Sequence, residues 1–297
     1  MPGKGKGVIA KRDIERGELI IREKPLFVVP PQTTSSPSAF IARSVSQLTR
    51  RQQDAFLNLS YVNFPKYLDP KRHPDEVALA IFQTNAVSAG EGVGIFPRMA
   101  RLNHGCSSAF NVVYTWRERE GALVIHALQS IRKGEELLTT YTNTKRPRDQ
   151  RRAYLEEHYG FHCTCKVCSL GPEQSRASDI RLLAISEAYD RFATWGNREI
   201  GGAEAIALVK KIWTLEDEEG YLSERGRLAA DAAWVAASHS DASAAREWAQ
   251  TAIEWYTYEI GGDSEELEEM QVVVARPESH RAWGSRERRS VGGPLKE

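Results

Sequence analysis

Tyr159-Gly160-Phe161-His162-Cys163-Thr164-Cys165-Lys166-Val167-Cys168 is the stretch whose reading decides the fold. It gathers three of the chain's four cysteines into six residues. Thiolates are good zinc ligands, and a structural zinc site takes four donors in a tetrahedron. The remaining cysteine is Cys106, in Leu102-Asn103-His104-Gly105-Cys106. If every ligand is a cysteine, Cys106 is the fourth, and one ion ties two distant segments together. His162 is the alternative fourth donor. Three incidental buried thiols are the bland reading, and the clustering favours the metal. Cys163-Thr164-Cys165 is too tight to staple a secreted scaffold, so a reducing, intracellular setting is expected, cytoplasmic or nuclear.

Working outward, the composition is that of an ordinary globular protein, with 41% hydrophobic and 27% charged residues. Forty basic and forty acidic residues cancel. That balance argues against a protein whose main work is gripping nucleic-acid phosphates. No apolar run is long enough for a membrane span, and the start lacks the apolar stretch of a secretory signal.

Upstream of the cysteines, Val8-Ile9-Ala10 and Leu19-Ile20-Ile21 are β-prone runs around a turn at Arg16-Gly17-Glu18. Residues 30–37 have loop composition, and residues 38–64 are expected to be helical. Pro74 is placed to open a helix through about Asn85. Gly90-Glu91-Gly92-Val93-Gly94 is a glycine-rich turn without the following helix of a dinucleotide site. Val112–Trp116 and Leu123–Ala127 are strands about a turn at Glu120-Gly121, and residues 148–159 form a charged amphipathic helix. Gly3-Lys4-Gly5-Lys6-Gly7 lacks the ending of a phosphate loop. Downstream, residues 178–272 carry helical periodicity, with helices expected over 228–238, 242–260 and 264–274. From Pro277 a loose polar tail is expected. Glu216-Asp217-Glu218-Glu219 is read as a solvated face in preference to a docking site for a basic peptide.

Taken singly, Asn103-His104 is turn chemistry and Tyr141 a core residue. In order along the chain, the pieces resemble the SET-domain proteins, and within them the SMYD branch and its fungal relatives. Lys4-Gly5-Lys6-Gly7-Val8 is similar to the opening glycine turn, and Arg16-Gly17-Glu18 to the "x-G-E" that follows. Phe96-Pro97 through Asn103-His104-Gly105-Cys106 resembles the "FP…LNHSC" segment. Ile131-Arg132-Lys133-Gly134-Glu135-Glu136-Leu137 with Tyr141 resembles "I-x-x-G-E-E-L-x-x-x-Y", and residues 159–168 the post-SET "Y-x-F-x-C-x-C-x-x-C".

The resemblance implies an α+β architecture with small sheets, a pseudoknot and a helical insert. It divides the chain into a SET domain over 1–160 with the insert at about 38–85, a post-SET zinc segment over 161–172, an all-α helical-hairpin domain over 173–276 and a polar tail over 277–297. It implies S-adenosylmethionine as donor, one structural zinc held by Cys106, Cys163, Cys165 and Cys168, and a protein or peptide lysine as acceptor. Lys4, Gly5, Lys6, Asn85, Asn103, His104 and Phe161 would contact the donor. Tyr141 would be catalytic, and Tyr141 with Tyr159 would line the lysine channel. A monomer is expected, with no nucleic-acid or membrane partner. The insert contains no cysteine, so the MYND finger of the SMYD branch is not expected. One departure stands out: Ser108-Ala109 occupies the place of a Pro-Asn pair. It leaves a second reading, a SET-fold binding or scaffold protein without turnover, and a third is transfer to a non-protein amine.

Overall fold

The computed structural model describes residues 5–32 and 36–295. Its first part is built from three small sheets. Strands β1 (Val8–Ile9), β2 (Leu19–Glu23) and β3 (Val28–Val29) each enter a different one. The insert follows as α1 (Pro37–Ser46), α2 (Arg50–Leu57) and α3 (Pro74–Asn85). A β4–β5 hairpin (Val87–Ala89, Gly92–Gly94) pairs with β3. Then come β6 (Asn103–His104), β7 (Val112–Arg117), β8 (Ala122–Ala127) and β9 (Glu136–Thr139).

The middle sheet, ordered β2-β8-β7, is antiparallel. Its central strand β8 is buried at every position, which its run of apolar residues allows. Ile21, Leu123 and Ile125 pack there with Phe96, Leu102 and Leu137 as the core of this half. The sheet ordered β1-β9-β6 has one unusual pairing, because β6 runs parallel to β9. Asn103 pairs with Leu138 and His104 with Thr139, so the Asn-His pair lies beside the strand that leads to Tyr141.

The insert departs from the expected continuous helix over 38–64. Helix α1 stops at Ser46, and Thr49 restarts the chain as α2, its backbone N–H donating to the Gln52 side chain at 3.0 Å. No helix follows until residue 74. Asn63 takes a left-handed conformation at φ 60°, and Pro65 and Pro70 break the periodicity. Helix α3 runs as expected, with proline in its first turn and Asp75 and Glu76 facing the positive end of its dipole. The glycine-rich run over 90–94 is largely a strand. Gly92 has no room for a side chain, since a Cβ would lie 2.6 Å from the Val29 carbonyl oxygen.

Helix α4 (Arg148–Tyr159) ends at Gly160, left-handed at φ 68°, and delivers the chain into the cysteine cluster. Five helices follow: α5 (Pro172–Ala193), α6 (Gly202–Glu219), α7 (Arg225–Ser238), α8 (Ala242–Glu259) and α9 (Glu265–Ala275). Alanines carry the α7–α8 contact. Ala229, Ala232, Ala233 and Ala236 pack in one core with Ala245, Ala249 and Ala252, where small side chains let the helices approach closely. None of the described helices is long and apolar enough to cross a membrane.

Two expectations are corrected in this half. The segment from Pro277 is not loose. Arg286 lies over the Trp195 ring at 4.0 Å, Trp248 Nε1 donates to the Gly292 carbonyl at 3.1 Å, and Asp241 accepts from Val291 N–H at 2.8 Å. The acidic run at the end of α6 is a solvated face only at Asp217 and Glu218. Glu216 and Glu219 are buried, each held by partners from other helices and loops that the local sequence does not contain.

Candidate active site and metal centre

The four cysteines meet. Their sulfur atoms all lie within 4.8 Å of one another, and each residue is buried. Cys106 Sγ is 4.0 Å from Cys163 Sγ and 3.6 Å from Cys168 Sγ. A tetrahedral zinc with Zn–S bonds of about 2.3 Å requires S···S separations of about 3.8 Å, close to the two Cys106 separations, so the donor set fits such an ion. His162 lines a neighbouring cavity and does not belong to the group of converging ligand atoms. Four buried sulfurs this close cannot all carry charge unaided. Cys106 is pushed far above the usual thiol range by the three neighbouring sulfurs and then by burial, while the same contacts pull Cys165 down. A divalent cation at the centre would resolve that conflict, and the buried Arg151 guanidinium interacts electrostatically with Cys106 and Cys168. Arg152 braces the loop, donating to the Cys163 carbonyl at 3.2 Å and to the Cys168 carbonyl at 2.8 Å.

Against this cluster lies a cavity of about 750 Å³. Gly5, Lys6, Asn85, Asn103, His104, Tyr141, Tyr159 and Phe161 all line it. Every residue expected at the donor or the channel is therefore brought to one place, except Lys4, which lies outside the described residues. The parallel β6–β9 pairing supplies one wall, the end of α3 another, and the segment after α4 the third.

His104 joins the two centres. The Tyr141 backbone N–H donates to His104 Nδ1 at 3.0 Å, so that nitrogen carries no proton. In the neutral ring the proton is then on Nε2, which lies 3.1 Å from Cys106 Sγ and donates to it. The ring is buried, and burial holds it neutral, with its pKa pushed down to about 4. Tyr141 itself is fixed at both ends, because its hydroxyl donates to the Leu102 carbonyl at 2.6 Å. Burial first, then Tyr159 and Glu136, hold its phenol above the ordinary tyrosine range. With its proton committed, the Tyr141 oxygen is left as an acceptor. Tyr159 packs on Tyr141 with ring centroids 4.9 Å apart, and Phe161 stands edge-on to it at 6.5 Å.

The polar groups are similarly engaged. Asn103 donates to the Glu136 carboxylate at 2.7 Å. The Asn85 amide donates to the carbonyls of Ser60 and Ile81, each at 2.7 Å, and so pins the irregular segment of the insert to α3. Lys6 donates to the Asn58 side chain, and Arg101 to the Asn58 carbonyl at 3.1 Å. Arg101, Tyr114, Ser60, Val62 and Thr84 also line the cavity and were not singled out from sequence. Tyr114 was readable only as a strand residue, and Ser60 and Val62 lie in the segment wrongly expected to be helical.

The loop after Cys106 explains itself. Ser107–Ala109 forms a single 3₁₀ turn, closed by Ala109 N–H on the Cys106 carbonyl at 2.6 Å. A Cβ on Gly105 would sit 2.8 Å from the Phe110 nitrogen and 2.9 Å from the Ala109 carbonyl carbon, so only glycine fits there. Asn111, two residues beyond Ala109, clamps β9: it donates to the Glu136 carbonyl at 3.0 Å and accepts from the Leu138 N–H at 2.8 Å.

Comparison with known proteins matches the SET domain model over residues 5–142. The chain is 32% identical over 286 residues to histone-lysine N-methyltransferase set5 of Schizosaccharomyces pombe, covering 94% of this chain and 83% of that protein. The chain belongs to the SET domain family. Human N-lysine methyltransferase SMYD2 is 34% identical over 94 residues, covering 31% of this chain and 21% of that protein. A putative SET domain-containing protein of Acanthamoeba polyphaga mimivirus, L678, is 23% identical over 213 residues, covering 63% of this chain and 82% of that protein. Methyltransferases of the SET family use S-adenosylmethionine, and the cavity here is large and polar-rimmed enough for such a donor.

Proposed function

We propose that this chain is an S-adenosylmethionine-dependent protein-lysine N-methyltransferase whose structural zinc holds the post-SET segment against the donor cavity. The observation that carries the reading is Tyr141: a buried phenol in the cavity wall, its proton donated to Leu102, its backbone tied through His104 to a metal ligand. The bound donor would supply an electrophilic methyl on a sulfonium. Lys6 and the backbone at Gly5 and His104 line the cavity for its methionine end, with Asn103 and Asn85 as further polar contacts, and Phe161 is the aromatic wall for its adenine. Asn103 gives one amide hydrogen to Glu136, which leaves its carbonyl to accept from an ammonium.

Transfer is an in-line displacement that needs a neutral amine aligned with the methyl, so positioning carries much of the acceleration. Tyr141 and Tyr159 form an apolar throat that disfavours the charged form of an entering lysine. The Tyr141 oxygen would accept from the amine and orient its lone pair toward the methyl that the bound donor would supply, and the amine proton would leave to water. The names of the relatives support a histone or other protein lysine as the acceptor. The domain limits expected from sequence, and the pseudoknotted threading, are supported by the parallel β6–β9 pairing and by the change to all-helical structure at α5. The closed turn at Ser107–Ala109 and the clamp at Asn111 favour an active site over an inert scaffold.

The deciding experiment is mass spectrometry of candidate proteins after incubation with isotopically labelled donor, wild type against Tyr141→Phe. Label on a lysine that the variant fails to place supports the assignment. Labelled donor bound without any transfer, across a histone and cell-extract panel, would leave the scaffold reading in its place.

A further inference from the structure

We propose that Glu219, at the C-terminal end of α6, is a positioning residue that sets the metal loop from the helical domain, by clasping Ser107. The inference rests on the zinc reading of the four cysteines but is separable from it.

Ser107 follows the one ligand contributed by its segment. It is a non-glycine residue at φ 35°, a conformation that L-residues rarely hold unless the surroundings impose it. Its side chain is buried, and its hydroxyl donates to Glu219 Oε1 at 2.8 Å. Nothing about that carboxylate is adjustable. Ser178 Oγ donates to the same oxygen at 2.7 Å, and Arg181 holds the other from Nε at 3.0 Å and Nη2 at 2.9 Å. Helix α5 therefore fixes Glu219 from behind, and its forward contact is Ser107. The close fit continues at Gly220, left-handed at φ 70°, where an added Cβ would meet the Ser108 Cβ at 3.2 Å.

Released from this hold, Ser107 would relax toward an ordinary backbone conformation and swing Cys106 away from the other sulfurs. Cys106 also receives the His104 hydrogen bond that ends on Tyr141. The helical domain would thus govern how firmly the ion and the donor wall are held, without touching either. Its contribution is a hydrogen bond to a buried charge, the stronger kind.

The test uses the full-length, zinc-loaded chain. Zinc release into excess chelator is followed for wild type, Ser107→Ala, Ser107→Gly and Ser178→Ala, with hydrogen exchange of residues 102–110 measured in parallel. Ser107→Ala is expected to release zinc about tenfold faster or more. Ser107→Gly should fall between it and wild type, because glycine holds a positive φ without a clasp. Ser178→Ala should stay within about twofold of wild type, although it removes a hydroxyl from the same oxygen. Exchange across 102–110 should be fastest in Ser107→Ala, intermediate in Ser107→Gly and unchanged in Ser178→Ala. The clasp is overturned if Ser107→Ala releases zinc at the wild-type rate, if Ser107→Gly is as fast as Ser107→Ala, or if Ser178→Ala matches Ser107→Ala. A wild-type chain that takes up no zinc would sink the metal reading, and the exchange comparison would then decide the clasp by itself.

Discussion

Tyr141 shows how much of a single residue's role is set by its neighbours. Its hydroxyl proton is engaged by Leu102 and its phenol is held protonated, so in the proposed transfer it would orient an amine rather than deprotonate one. Tyr141→Phe should lower kcat for methyl transfer by about a hundredfold, the scale for losing one placed polar group. Donor affinity, read by calorimetry, should change little; equal losses in both would remove the catalytic assignment. Gly105 makes a stability claim at the same scale. Gly105→Ala forces a methyl against the backbone of residues 109 and 110 and should cost about 1–3 kcal/mol, checked by denaturant unfolding. Ordered motifs pointed to the four cysteines, which the fold brings together, and to Tyr141, which lines the neighbouring cavity. They did not announce why glycine stands at 105, because the atoms that exclude a side chain belong to the backbone of the following turn.

At the scale of elements, the legible parts were those with local causes. Helix α3 was readable from Pro74 and α9 from its helical periodicity, and the structure adds a local cap, the Ser264 side chain accepting from Leu267 N–H. Ser264 is fully buried, so Ser264→Ala should destabilise the fold by about 1 kcal/mol in thermal or denaturant unfolding. The segment between α2 and α3 was illegible because it is held by long-range bonds, chiefly Asn85 to Ser60 and Lys6 to Asn58. The cysteine segment forms no helix or strand of its own, so on the proposed zinc reading the metal would supply its order. Chelation, or Cys165→Ala, should raise hydrogen exchange over residues 161–170 and abolish donor binding while α5–α9 keep their protection. Global unfolding on chelation would contradict that division.

Across the whole molecule, the sequence separated the two halves by composition but not the way they dock. Arg117 donates to Asp263 at 2.7 Å, Arg16 lies over the Tyr258 ring at 3.8 Å, and Lys145 pairs with Glu224 at 2.8 Å. The buried ends of the acidic run belong to the same docking, and only tertiary partners decide which carboxylates leave solvent. Burial raises Glu216 and Glu259 to about 8, against an ordinary value of 4.5. The folded state thus keeps protons that the unfolded chain gives up, and this stability is lost as pH rises through about 8. His104 and His126, pushed down to about 4 by burial, act in the opposite sense below about pH 6.5. Denaturant midpoints should therefore fall between about pH 6.5 and 8, and Glu259→Gln should flatten that fall; an unchanged slope would contradict the assignment.

The spacing of the metal ligands also governs the order of events during synthesis. Cys106 leaves the ribosome 57 residues before Cys163, a gap of roughly 3–11 s at ordinary elongation rates. For that interval the Asn-His segment exists with one thiol and no site. A zinc held as proposed could close the donor wall only after residue 168 has emerged, so a nascent chain would have no finished pocket for a methyl donor until translation has passed the cysteines.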